Sequence, residues 1–138
     1  TQLENIWYEG CISAHEHYNW TRYYALNLHS VFYRGTIEWR CFNSTLHAGL
    51  AKAYVNLCLA MSAQAISQRT SVMRKTVSDN ELFTFRVWLV RMGLNGDEFK
   101  NTRDHLLANL EGNRAWRYDK DCYASSHKNR TSQQEQER

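Results

Sequence analysis

The sequence predicts an α+β domain in which two short antiparallel strands pack against three amphipathic helices. Residues 22–31 and 34–42 alternate apolar and polar side chains with the period of two that marks a half-buried strand, and they are joined by a short connection. From residue 50 onward the apolar residues instead recur at i, i+3, i+4 and i+7, the period of a helix face. At 138 residues, 43% hydrophobic and 22% charged, the chain has the size of one domain with a modest core.

In RYYALNLHSV, Tyr24, Leu26 and Leu28 point one way, while Ala25, Asn27 and His29 point the other. RGTIEWRCF repeats the design, with Thr36, Glu38 and Arg40 opposite Ile37, Trp39 and Cys41, which are expected to face the core. Gly35 lies near the expected turn. The register is not legible, so either Asn27 or His29 can be the neighbour of Glu38. Asn43-Ser44-Thr45 supplies N-cap chemistry for a long helix to about Ser67, carrying Leu50, Ala53, Tyr54, Leu57, Cys58, Met61 and Ala65 inward. Asp79 or Asn80 caps a second helix with Leu82, Phe85, Leu89 and Met92 buried, ended by Gly93 and Gly96. Asp97 is the expected cap of a third, with Phe99, Leu106, Leu107 and Leu110 inward and Gly112 as its stop. Residues 1–118 are read as the domain. The segment 119–138, DKDCYASSHKNRTSQQEQER after Tyr118, is polar enough to be a disordered tail. The first twenty residues carry no apolar periodicity, and a start at Thr1 rather than Met predicts a fragment of a longer protein.

The formal charge of +3 is small and dispersed, which does not favour nucleic acid as a partner. No apolar run reaches the roughly 18 residues of a membrane span. Cys11, Cys41, Cys58 and Cys122 are scattered without a CxxC pair, the pattern of reduced thiols in a cytoplasmic protein rather than of a zinc site. The glycosylation sequons at Asn19, Asn43 and Asn129 then have no use.

An antiparallel sheet covered on one face leaves a polar face that is either solvated or lines a site. Glu38 and Arg40 share that face. As an exposed pair they would contribute at most about 1 kcal/mol, so stability alone gives little reason to set them in a strand.

The ordered segments R-Y-x-A-L-N-L-H (residues 22–29), T-I-E-W-R (36–40) and N-S-T-L-H-A-G (43–49), followed by TFRVWLVRMGLNGDEFKNTRDHLLANLEGNRAWR (84–117), resemble the C-terminal part of the amidoligase family. These are carboxylate-amine ligases of glutamine synthetase-like fold, and the resemblance spans about residues 20–118. It implies a reaction in which ATP phosphorylates a carboxylate and an amine displaces phosphate from the acyl phosphate. It implies Glu38 as a magnesium-binding carboxylate and Arg40 as the group that steadies the phosphoryl oxygens. Arg22, Asn27 and His29 would shape the nucleotide or substrate site, with a structural role equally open for His29. Where relatives often carry Phe, this chain has Trp39. The upstream half that would supply further carboxylates is not in this sequence, which predicts a partial active site.

His15 and His17 have H-x-H spacing but no third ligand nearby, so a solvated loop is expected. His47 opens the first long helix close in sequence to the Glu38 strand. Arg86, Arg91, Lys100, Arg103 and Arg117 are expected on solvated helix faces. The competing reading is a noncatalytic helical module that binds a protein or nucleic acid.

Overall fold

Thr1 caps the first helix, α1 (Gln2–Trp7), through a capping box: its hydroxyl accepts from the Glu4 backbone N–H while the Glu4 side chain reaches back to the Thr1 backbone nitrogen. A six-residue helix is too short to display periodicity, so the local signal for it is the T-x-x-E spacing. The computed structural model describes residues 1–9 and 16–118. Cys11, His15, Cys122, Asn129 and the expected polar tail lie outside them. The chain divides into two compact units, Thr1–Ser44 and Thr45–Arg138. The described residues hold five α-helices and one two-stranded antiparallel sheet, a small mixed α+β architecture.

In the first unit the chain enters a 3-10 turn at Trp20–Tyr23, where the Asn19 side chain accepts from both the Thr21 N–H and the Thr21 hydroxyl. The N-W-T sequon is thus used as a turn cap. The Trp7 indole N–H donates to the Thr21 hydroxyl at 3.0 Å and its ring meets Tyr24 edge-on, tying α1 to the turn. Strand β1 (Leu26–Asn27) then pairs antiparallel with β2 (Glu38–Trp39), Leu26 opposite Trp39 and Asn27 opposite Glu38. One further bond, from the Arg40 N–H to the Ala25 carbonyl at 2.7 Å, extends the pairing.

The expected strands over 22–31 and 34–42 are therefore two residues long each. The antiparallel pairing holds, but the chain between the strands forms helix α2 (His29–Arg34), stopped by Gly35 in the left-handed region at φ 70°. Leu28, Val31 and Phe32 fit i, i+3, i+4 spacing as well as Tyr24, Leu26 and Leu28 fit alternation, and the Gly35 cap decides between the periods. With so short a pairing, the pleat does not extend to Ile37 and Cys41, which are exposed, while Trp39 is half-buried.

The second unit carries α3 (Ala48–Ser67), α4 (Glu81–Arg91) and α5 (Lys100–Leu107). Both α3 and α4 pack on α5, and the core is Ala53, Leu57, Leu82, Leu89, Leu94 and Leu107. The expected stripes hold in outline, although Ala65 is exposed near the end of α3. Two expected caps do not. The α3 cap is His47, whose Nδ1 accepts from the Leu50 N–H, while Thr45 accepts from the His47 N–H. Helix α5 begins after Phe99 without a side-chain cap, because a further turn separates Asp97 from the helix. No helix among the described residues is long and apolar enough to cross a membrane.

Of the two candidate caps of α4, Asp79 and Asn80, the structure uses Asn80, which does more than cap. Its Oδ1 accepts from the Phe83 N–H, and its Nδ2 donates to the carbonyls of Asn113 and Trp116 at 3.0 and 2.8 Å. Gly112 sits against this amide at φ 130°, where a Cβ would run into the Asn80 side chain. Gly112→Ala combines backbone strain with a displaced cap, an expected loss of about 2–4 kcal/mol. Thermal denaturation should show a Tm several degrees lower; an unchanged Tm would mean that residue 112 relaxes away from Asn80.

Candidate functional site

The register of the β1–β2 pair builds the site. It sets Asn27 opposite Glu38, and Asn27 Nδ2 donates to Glu38 Oε2 at 2.6 Å and to Ser30 Oγ at 3.1 Å. Of the two candidate neighbours of Glu38, the register selects Asn27; His29 has already left the strand for α2. The carboxylate fixes the orientation of the amide, because only the NH2 end can face it. Asn27 Oδ1 is then left buried without a partner in a residue only 2% exposed.

The second carboxylate oxygen, Oε1, lies 3.5 Å from Arg40 Nε, with the two side chains 48% and 30% exposed. At such exposure the pair contributes only about 0–1 kcal/mol. Arg40 is positioned by other contacts too: its Nη1 donates to the Arg22 carbonyl at 2.8 Å and its guanidinium lies over the Tyr23 ring. The Arg22 guanidinium lies over the rings of Tyr18 and Tyr23, at 5.1 and 5.4 Å. Aromatic faces therefore hold both arginines with cation–π attraction.

These side chains surround a cavity of about 210 Å³. Four of the five residues predicted from sequence, Arg22, Asn27, His29 and Glu38, line it, and Arg40 borders it through its pair with Glu38. The lining also includes His17 and Tyr18, ahead of the 3-10 turn, and Ser30, Tyr33 and Arg34 from α2. Tyr18, Ser30, Tyr33 and Arg34 carry no signal in a strand reading, and His17 is visible in the sequence only through its H-x-H spacing with His15. His29 with Tyr33, and Ser30 with Arg34, stand at i, i+4, so recognising α2 from its Gly35 stop would have gathered them. His17 is exposed in a turn, as a solvated loop predicts, and its ring meets that of Tyr18 edge-on.

His29 is 5% exposed, and its Nδ1 is hydrogen-bonded to the hydroxyl of Tyr8, which is equally buried. Burial pushes the Tyr8 phenol above its ordinary pKa of 10.0, with the nearby Glu4 and Tyr33 adding to the effect. The Tyr33 ring packs on His29 with centroids 4.8 Å apart. The other ring nitrogen, Nε2, is buried with no partner.

Among the described residues no group of three His, Cys, Asp or Glu side chains could hold a metal ion. Glu38 is the one carboxylate of the described lining, and both its oxygens are engaged. The described lining therefore offers no all-protein cage for a resident ion, and Glu38 is the one carboxylate in it that could contribute to holding one. His47 serves as a cap on α3 in the second unit, and Cys41 is an exposed thiol.

Residues 1–62 match a protein-family model described as "Putative amidoligase enzyme". The match spans the whole unit that carries the cavity and ends within α3. It supports the amidoligase family for this part of the chain. The segment 84–117, also expected to share the resemblance, lies outside the match, while the first twenty residues, with no pattern expected, lie inside it. Neither a curated protein nor a solved structure matches the chain.

Asn27→Asp sets a second carboxylate directly opposite Glu38 and removes the donor. The expected cost to the β1–β2 pair is about 1–3 kcal/mol at neutral pH. Hydrogen exchange at the Arg40 amide, bonded across the pair to Ala25, should speed by about tenfold or more, since each 1.4 kcal/mol is a factor of ten. Unchanged exchange would show that the Asn27–Glu38 bond does not hold the strands.

Proposed function

We propose that the first unit, Thr1–Ser44, forms one wall of the active site of an ATP-dependent carboxylate-amine ligase. The observation that carries this reading is a coincidence of two independent results: the amidoligase match covers the unit whose cavity gathers Arg22, Asn27, His29 and Glu38. The match favours a ligase. The chemistry of the wall favours the ATP-dependent, acyl-phosphate form of the reaction.

In that reaction a carboxylate oxygen of the acyl donor attacks the terminal phosphorus of ATP, releasing ADP. An amine then adds to the carbonyl carbon of the acyl phosphate, phosphate departs with the C–O bonding pair, and the nitrogen gives up a proton to leave an amide. The carboxylate, the nucleotides, the acyl phosphate and the released phosphate all carry anionic oxygens. Arg22 and Arg34 in the lining outnumber the single carboxylate Glu38, so the cavity attracts such groups. Arg40, anchored by the Arg22 carbonyl and the Tyr23 ring, presents a planar guanidinium suited to two oxygens of one phosphoryl or carboxylate group. Glu38 is the side chain that would hold magnesium, whose charge offsets that of the nucleotide phosphates. Asn27 keeps the Glu38 carboxylate in place.

A cavity of about 210 Å³ is smaller than the roughly 300–1,000 Å³ of clefts that enclose whole drug-sized ligands. It suits the anionic end of a substrate, consistent with one wall of a larger site. The acyl donor and amine are small molecules or peptides.

In the full-length protein, Glu38→Gln and Arg40→Ala should each lower amine-dependent ADP release by about a hundredfold or more, the effect of removing one preorganised group that meets developing charge. Glu38→Gln keeps an oxygen for Asn27, so its circular dichroism should match that of the parent. An unchanged rate in either variant removes that residue from the site. Isothermal calorimetry with ATP and magnesium tests the wall more directly, and absence of heat from the full-length protein would sink the ligase reading.

A further inference from the structure

We propose that Tyr8 is a positioning residue: its phenol donates to Nδ1 of His29, fixes the ring with its proton on Nε2, and so makes His29 a hydrogen-bond donor to an oxyanion held between Arg22 and Arg34. The inference rests on the reading of the cavity given above and adds two things to it. It gives His29 a chemical role, and it brings in Tyr8, which does not line the cavity.

The direction of the Tyr8–His29 bond follows from counting unsatisfied groups. If Nδ1 carried the proton and donated to the phenol oxygen, the phenol hydrogen would have no acceptor among the described residues and Nε2 would be an unpaired acceptor as well. With the phenol donating, Nε2–H alone is unpaired. Each buried polar group left without a partner costs roughly 1–3 kcal/mol, so the second arrangement wins. A phenol of ordinary pKa 10.0 keeps its proton across the neutral range, and burial pushes the value further up. The ring is held edge-on against Tyr8 and is 5% exposed, so it cannot turn over to exchange the two nitrogens without losing this bond.

What remains is a buried donor in a residue that lines a cavity carrying two guanidinium groups. Such a group is stabilised when a ligand supplies the missing acceptor, and an anionic oxygen is the acceptor that the two arginines attract. Nε2 is closed to solvent as it stands, and the Tyr33 ring that packs on His29 is 43% exposed, so the proposal requires the cavity wall at this point to open when a ligand enters. The oxyanion is a carboxylate or a phosphoryl group, and two probes separate these sources.

The tautomer is read from two-bond proton–nitrogen NMR correlations of the His29 ring in the full-length protein, and affinity from titration with inorganic phosphate and with acetate. The wild type should show a proton on Nε2 and an acceptor pattern at Nδ1. Tyr8→Phe keeps the ring and removes the donor, so the His29 pattern should change and affinity for at least one probe should fall about tenfold, the scale of one hydrogen bond to a charged group. A fall confined to phosphate names the phosphoryl source, and one confined to acetate names the carboxylate. A proton on Nδ1 in the wild type overturns the proposal, and this measurement decides the matter even where Tyr8→Phe does not fold. Probe binding that is indifferent to Tyr8→Phe overturns this inference alone; failure of both probes to bind the wild type overturns it together with the ligase reading of the cavity.

Discussion

The hydrogen bonds of Asn27 are the constraint on which the first unit depends. One amide nitrogen joins the carboxylate across the strand pair to the first turn of α2, so strand register, helix start and Glu38 orientation are fixed together. Among the described residues of this unit the buried side chains are Tyr8, Asn19, Thr21, Asn27 and His29, none of them aliphatic. A unit of this kind draws little of its order from apolar burial. Each of these side chains must find a partner, because a buried polar group left without one costs as much as a good hydrogen bond returns. The Asn19–Thr21–Trp7 contacts and the Tyr8–His29 pair meet that demand, and the atoms that do not meet it, Asn27 Oδ1 and His29 Nε2, belong to residues of the cavity lining.

The second unit is built the other way round. Its centre is leucine and alanine from α3, α4, α5 and the α4–α5 connection, the apolar arrangement that amphipathic periodicity anticipates. Two buried polar side chains, Thr102 and Asn80, join this apolar centre among the described residues. Asn56 Nδ2 donates to Thr102 Oγ1 at 2.8 Å, joining α3 to α5, and Asn80 ties the start of α4 to the segment after Gly112. The contrast between the units bears on function. A polar interior is costly to maintain, and its unpaired groups lie in the unit that the amidoligase match covers.

The two units were unequally legible. In α3 and α4 the repeated i, i+3, i+4 pattern runs over enough turns to place both helices, while the α4 cap is legible only as either Asp79 or Asn80, both short polar side chains ahead of the stripe. At α5 the same reasoning moved the start too early, since Asp97 heads a turn rather than the helix. Around the site the pattern misled: six residues of apparent alternation are compatible with both periods, and the Gly35 stop was read as a hairpin turn rather than as the end of α2. Arg22, Asn27, His29 and Glu38 were nevertheless placed near one another, because motif order and adjacency of the two strands do not depend on strand length. Tyr8, Tyr18, Tyr33 and Arg34 were not found, having no spacing relation to Glu38 that a strand reading would reveal.

Sequence by itself determined the mixed α+β class, the antiparallel pairing of the two central segments, the helix stripes of the second unit and the candidacy of Glu38 and Arg40. The class, the pairing and the stripes follow from local periodicity, a property of short windows; the candidacy of Glu38 and Arg40 follows from the family resemblance carried by the ordered segments around them. Only the tertiary structure decided that Asn27, not His29, faces Glu38, that Arg40 leans on the Arg22 carbonyl, and that Tyr8 reaches Nδ1 of His29 across 21 positions of chain. The reason is physical: register and buried polar pairing are set by which partners the whole unit brings within hydrogen-bonding distance, and a one-residue change of register reverses every face without altering the pattern along the chain.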